Sequence, residues 1–201
     1  KQSRPTRSEL RTAELGALFA LSAVRNSDRV GLLCFSDSVV KYVPPRKGSR
    51  HALRVIRELV AASPGGGPTD VAGALSFAAR LTRRRCVAIF ISDLLSVGWE
   101  QRLRAFGARN DLITLVVRDP VDWKLPRWGA AAVVDSETGR LVEADLASLS
   151  PSLEAAARRF DAEASRALRG IDWTVVRTDA PYIEPVAALL GRRQRRLRRG
   201  T

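Results

Sequence analysis

Apolar positions along this chain alternate between helical spacing and unbroken runs. Leu10, Ala13, Leu15, Leu18, Phe19 and Leu21 share one helical face, with Ser8 as the expected N-cap and Asn26-Ser27-Asp28 as the stop. Residues 29–35 then read as a strand, Ser36-Asp37-Ser38 as a short turn, and 39–43 as an antiparallel return strand. Pro44 to Gly48 is a loop. A second helix is expected over 50–62, with Leu53, Ile56, Leu59 and Val60 facing inward. After Gly65-Gly66-Gly67-Pro68-Thr69-Asp70, a helix over 71–81 begins at or next to Asp70. Residues 86–92 form an apolar strand closed by Asp93, followed by a helix over 99–108 and a strand over 112–117. Strands that are apolar throughout belong to parallel sheets covered on both faces, so the class is α/β with helices on both sides of the sheet.

The pattern changes after Arg118-Asp119-Pro120. Residues 130–135 and 141–143 flank Ser136-Glu137-Thr138-Gly139, a hairpin turn. A long amphipathic helix over 151–168 with Ser150 as its cap, a last strand over 171–177 and a short helix over 182–190 complete a hairpin-helix-strand extension. There is no internal repeat. One domain is expected over 8–201, with 191–201 as a basic tail.

Composition narrows the classes. The chain has 201 residues, 45% hydrophobic and 27% charged, which suits one folded domain with a sizeable core. No apolar run approaches the roughly 20 residues that span a bilayer. The chain starts at Lys1 and contains no Met, so a fragment or processed product is the expectation. Cys34 and Cys86 lie in strand-like runs with His51 as the sole histidine, a pattern of buried free thiols in a reducing cytoplasm. His51 is expected at an exposed helix start.

The net charge of +13 comes from 34 basic against 21 acidic residues. Such an excess fits nucleic acid or an anionic membrane. The cations are nearly all Arg, a composition that GC-rich coding also produces, and they concentrate at Arg192, Arg193, Arg195, Arg196, Arg198 and Arg199. A run of this kind reads as a solvated tail, and no aromatic stacking platform accompanies it.

In open α/β sheets ligands sit at the carboxyl ends of the strands, which is where Asp93 falls. The 65–70 loop is of a kind that meets it there. It is no phosphate cradle, because no Gly-Lys-Ser/Thr follows. Asp70 reads as an N-cap rather than a ligand. Asp119, Asp122 and Trp123 read as loop-shaping residues, with a partner surface as the alternative.

The ordered set of "DRVGLLCFSD", "VPPRKGSRHALRVIREL", "GGGPTDVAGAL", "VAIFISDLL", "NDLITLVVRDPVDWKLPRWG" and "VVDSETGRLVEAD", closed by Thr178-Asp179-Ala180-Pro181-Tyr182, resembles domain-of-unknown-function family fifty-eight. The resemblance covers nearly the whole chain from about Ser8. It implies a Rossmann-like sheet of the von Willebrand factor A type, with a metal-ion-dependent adhesion site at its upper edge. Of that site's three loops, the resemblance assigns the second to Thr69 and the third to Asp93. The first, an Asp-x-Ser-x-Ser signature after the central strand, has no match here, and Asp37-Ser38 stands in a different context. The central first strand is therefore expected to be absent, leaving a break in the sheet between the strands at Arg29 and Cys86. Oxygen ligands of this kind suit Mg²⁺.

The resemblance further implies a non-enzymatic adaptor that works with a MoxR-type AAA+ ATPase on a client protein, with no nucleic acid partner. Two alternatives stand beside it. One is a metal-assisted hydrolase using Asp93, for which no His, Cys or Lys stands in a matching loop. The other is nucleic-acid binding through the Arg-rich tail.

Overall fold

The computed structural model describes residues 5–62, 67–122, 130–134 and 141–199. Helix α1 (Arg7–Arg25) leads into the antiparallel pair β1 (Val30–Phe35) and β2 (Val39–Arg46), followed by α2 (Ser49–Ala61) and α3 (Val71–Leu81). Next come β3 (Val87–Ser92), α4 (Glu100–Arg109) and β4 (Asp111–Arg118), then a second antiparallel pair, β5 (Ala130–Val134) and β6 (Leu141–Asp145). The chain closes with α5 (Leu146–Ala167), β7 (Asp172–Arg177) and α6 (Ile183–Arg199).

Strands β3, β4 and β7 form a parallel sheet in that order, with β4 central. Side chains alternate across a strand, and β4 uses both faces. Ile113, Leu115 and Val117 pack with Leu15 of α1 and with Val186 and Leu189 of α6. Leu112 and Val116 point the other way, into a cluster with Val71 and Leu75 of α3, Leu103 and Phe106 of α4, and Ala167 of α5. Helices thus cover both faces, as the unbroken apolar runs require.

The break expected between the strands at Arg29 and Cys86 is present. Strands β1 and β2 make a separate two-stranded sheet, and β1 does not pair with β3. Contacts on both faces join the sheets across the break. Helix α1 sends Leu15 to the parallel sheet and Ala20 to the cluster of Val30, Leu32, Val43 and Val55. On the opposite face, Phe35 at the end of β1 stacks on Phe90 of β3, with ring centroids 5.9 Å apart.

Several sequence expectations are corrected. The N-cap of α1 is Thr6, not Ser8: Thr6 and Glu9 form a reciprocal capping box, which satisfies two orphan donors where Ser8 could satisfy one. Strand β2 runs on through Pro44 and Pro45, because an edge strand tolerates residues that cannot donate on its open side. In α2 the buried residues are Ala52 and Val55, while Leu53 and Val60 are 61% and 68% exposed. Gly16 sets this helix approach: a Cβ there would lie 2.3 Å from Leu59 Cδ2. Helix α5 begins at Leu146 and holds Pro151 inside it, where the missing N–H removes one helical hydrogen bond. The turn at Ser136–Gly139 lies outside the described residues.

The arginine run expected as a tail is helical through Arg199. Val186 and Leu189 are buried against the sheet, and Arg193 bonds to the carboxylates of Asp111 and Asp172 at the starts of β4 and β7. Those carboxylates turn a solvated run into a docked helix. His51, expected on the surface, is half-buried, with Nε2 3.0 Å from the Val30 carbonyl oxygen.

Candidate functional site

The carboxyl ends of β1 and β3 and the start of α3 lie at one edge of the fold. Helix α3 runs back from that edge to deliver β3 in the opposite sense, so its N-terminus stands beside the end of β3. The backbone fixes this placement: Asp70 N donates to the Ser36 carbonyl at 2.7 Å, tying the glycine-rich loop to the β1–β2 turn.

Asp70 is the N-cap of α3, its Oδ1 accepting from Gly73 N at 2.8 Å. That satisfies one of the helix's free donors and commits the carboxylate locally. Thr69, one residue before it, is exposed. Asp37 also reaches this loop: a Cβ built on Gly67 would lie 3.2 Å from Asp37 Oδ2. The close approach leaves little room for a side chain at position 67 and brings a second carboxylate beside the Thr69 segment. Sequence reasoning set Asp37 aside because its strand context did not match a known motif. The signal that could have found it is the pairing of a short turn with a glycine-rich loop.

Asp93 is half-buried at the end of β3. Its Oδ1 accepts from Leu95 N at 3.1 Å, and Ser92 Oγ accepts from Leu94 N at 3.1 Å. Between them Leu94 adopts φ 61° while fully buried, a left-handed conformation uncommon for a non-glycine residue. Arg118 at the end of β4 donates through Nη1 to the Asp93 carbonyl oxygen. Its Nε and Nη2 bond to Asp161 Oδ1 at 3.1 and 3.0 Å, and its guanidinium lies 5.0 Å from the centroid of the Phe160 ring. The Asp93 turn is thus clamped from α5 through β4. Asp119, next along, is buried and caps its own turn by accepting from Val121 N at 3.1 Å, the loop-shaping role expected of it. Trp123 and the Asp122 side chain lie outside the described residues.

Thr69 and Asp93 therefore share an edge, on two loops braced by different neighbours. They do not bond to each other among the described residues. The donors present are hydroxyl and carboxylate oxygens, the set a hard divalent cation prefers. No group of three His, Cys, Asp or Glu able to hold a metal occurs among the described residues, so any ion here would need oxygens from elsewhere. The cysteines stand apart. Cys34 and Cys86 are free, and burial pushes the Cys34 thiol up to about 11. Cys86 is raised in the same direction by burial and by the Asp111 carboxylate.

The model for "Protein of unknown function DUF58" matches residues 2–163. The chain belongs to the DUF58 family. Relatives of this DUF58 chain include uncharacterized proteins of Mycobacterium tuberculosis and Mycobacterium bovis, 30% identical over 174 residues that make up 84% of this chain and 55% of theirs. The chain thus spans about half the length of those relatives. A third, from Mycobacterium avium, is 32% identical over 76% of this chain and 94% of its own. Among solved structures, a conserved hypothetical protein BatB from Bacteroides thetaiotaomicron aligns with TM-score 0.52 at 16% identity, covering 90% of this chain and 85% of that one. An aerotolerance-related membrane protein from Bacteroides fragilis aligns with TM-score 0.50 at 16% identity, covering 82% of this chain and 90% of that one. At such identity the likeness is one of fold. No helix among the described residues is long and apolar enough to cross a membrane.

Proposed function

We propose that this DUF58 domain is a non-enzymatic adaptor of the von Willebrand factor A type. It acts in the cytoplasm and binds a carboxylate of a partner through a divalent cation, Mg²⁺ by its oxygen donors. Thr69 and Asp93 would hold that ion, and the cation would supply an electrophilic bridge between two proteins. The partner is a MoxR-type AAA+ ATPase, with a client protein as the third component. The reading rests chiefly on one observation: Asp93 sits at the carboxyl end of a parallel strand, in a turn held from below by Arg118, on the same edge as the exposed Thr69. A turn clamped through its backbone keeps the carboxylate in place without consuming both of its oxygens. Of the two, Oδ1 is taken by Leu95 N.

The test is capture of a MoxR-type ATPase from the same genome by the full chain, with and without Mg²⁺. Metal-dependent capture that is lost in Thr69→Ala and Asp93→Asn is expected. Capture indifferent to chelator and to both substitutions would overturn the reading.

A further inference from the structure

The edge opposite the candidate site is rich in exposed arginine. Strands β3, β4 and β7 start together there, since Val87 pairs with Asp111 and Ile113 with Asp172. The segments that enter these strands bring exposed arginines with them: Arg83, Arg84 and Arg85 before β3, Arg109 before β4 and Arg169 before β7. The far half of α6 is fixed at the same edge, because Arg193 and Arg196 bond to Asp172 and Arg193 also to Asp111. Around that anchor Arg192, Arg195 and Arg198 are exposed and make no ion pair with a described carboxylate. From Pro185 to Thr201 the sequence has no acidic residue to offset them. At the other edge stand Asp37, Asp70, Asp93 and Asp119.

We propose that this arginine edge docks the protein on an anionic phospholipid surface, with the far turns of α6 at that surface. Helix geometry puts Leu190 and Leu197 on one stripe, seven residues apart. They are 37% and 58% exposed and border the arginines, while Val87 at the start of β3 is 63% exposed. Aliphatic side chains flanking a cationic face suit the boundary between headgroups and acyl chains. Nucleic acid would instead favour aromatic side chains on which bases stack, and none lies on the exposed face of α6. Cationic segments near an anionic leaflet gain attraction with each Arg, within a Debye length of the surface. Docked this way, the protein turns the Thr69–Asp93 edge away from the bilayer. The inference is independent of the adaptor reading and stands if that one fails.

The experiment is sedimentation of the full chain with vesicles of phosphatidylglycerol and phosphatidylcholine, against phosphatidylcholine alone, at low and high salt. Binding to the anionic vesicles only, weakened by salt, is expected. The triple variant R192Q/R195Q/R198Q should lower the partition coefficient by about 100-fold. R83Q/R84Q/R85Q should weaken it as well, and Leu197→Gln should weaken what remains at high salt. Circular dichroism confirms that each variant is folded. No binding at low salt, equal binding to neutral vesicles, or full binding by both folded triple variants would each overturn the proposal. So would binding of duplex DNA through the same arginines by a protein that the anionic vesicles do not retain.

Discussion

Arg118 holds the backbone of Asp93 rather than its carboxylate. The guanidinium donates to the Asp93 carbonyl oxygen while its other nitrogens engage Asp161, so a single side chain, 8% exposed, joins β3, β4 and α5. Truncation would leave that carbonyl without its charged donor and remove the packing on Phe160. Arg118→Ala should destabilise the protein by about 2–3 kcal/mol in urea titration. Arg118→Lys should recover little of it, since a single ammonium cannot span three elements as a planar fork does. Hydrogen exchange at Leu94 and Leu95 should rise in both.

On the proposed cation bridge, position 93 separates stability from binding. Asn keeps the oxygen that accepts from Leu95 N but removes the charge a cation needs. Asp93→Asn should therefore leave the denaturation midpoint nearly unchanged and abolish Mg²⁺ binding in calorimetry. Asp93→Ala should lose both, at about 1 kcal/mol in stability.

Arg193 lies between two carboxylates that partly lose their solvent when α6 docks, and its own side chain is only 11% exposed. Arg193→Ala leaves Asp111 and Asp172 facing each other, with Arg196 alone to balance them. A loss of about 2 kcal/mol is expected, below the full cost of breaking a buried pair because Asp111 is 32% exposed. Limited proteolysis should cut within α6 sooner than in the unaltered chain.

Cys34 gives a pH dependence with a fixed sign. Its folded thiol ionises near 11, above its ordinary value of 9.0, because burial disfavours the thiolate. The unfolded chain therefore releases its proton first. The contribution to stability is complete below about 9 and disappears as pH rises toward 11. Cys34→Ala should flatten this alkaline slope in thermal melts. At pH 8 alkylation of Cys34 should be slow in the folded protein and fast in urea.

Gly16→Val should cost about 1–3 kcal/mol by overpacking, since the first added carbon already meets Leu59 Cδ2. Leu59→Ala in the same chain should recover part of that loss, the non-additivity expected of a touching pair.

Much of this architecture was legible in the sequence, for identifiable reasons. Residues 86–92 and 112–117 are apolar except for Ser92 and Thr114, and they appear as β3 and β4, the second buried on both faces. The helix over 71–81 and its Asp70 cap were readable because the cap is local. Interactions between distant residues were not readable. Nothing near Arg193 in the sequence announces Asp111 and Asp172, so a docked helix looked like a tail. Helical spacing placed Leu53 and Val60 of α2 inward, yet the fold turns them outward and buries the small residues Ala52 and Val55 instead. At the candidate site, Asp93 and Thr69 followed from strand order and resemblance. Arg118 and Asp37 required the folded chain.

The separation of β1–β2 from β3-β4-β7 bears on how the molecule comes apart. No ladder of backbone hydrogen bonds couples the two sheets among the described residues, so their cohesion depends on α1, the Asp70–Ser36 backbone bond and the Phe35–Phe90 and Tyr42–Phe77 contacts. Unfolding should then proceed as two cooperative units rather than one. Amides of the hairpin would exchange at a lower opening free energy than those of β4, and loosening α1 would uncouple the units before either melts.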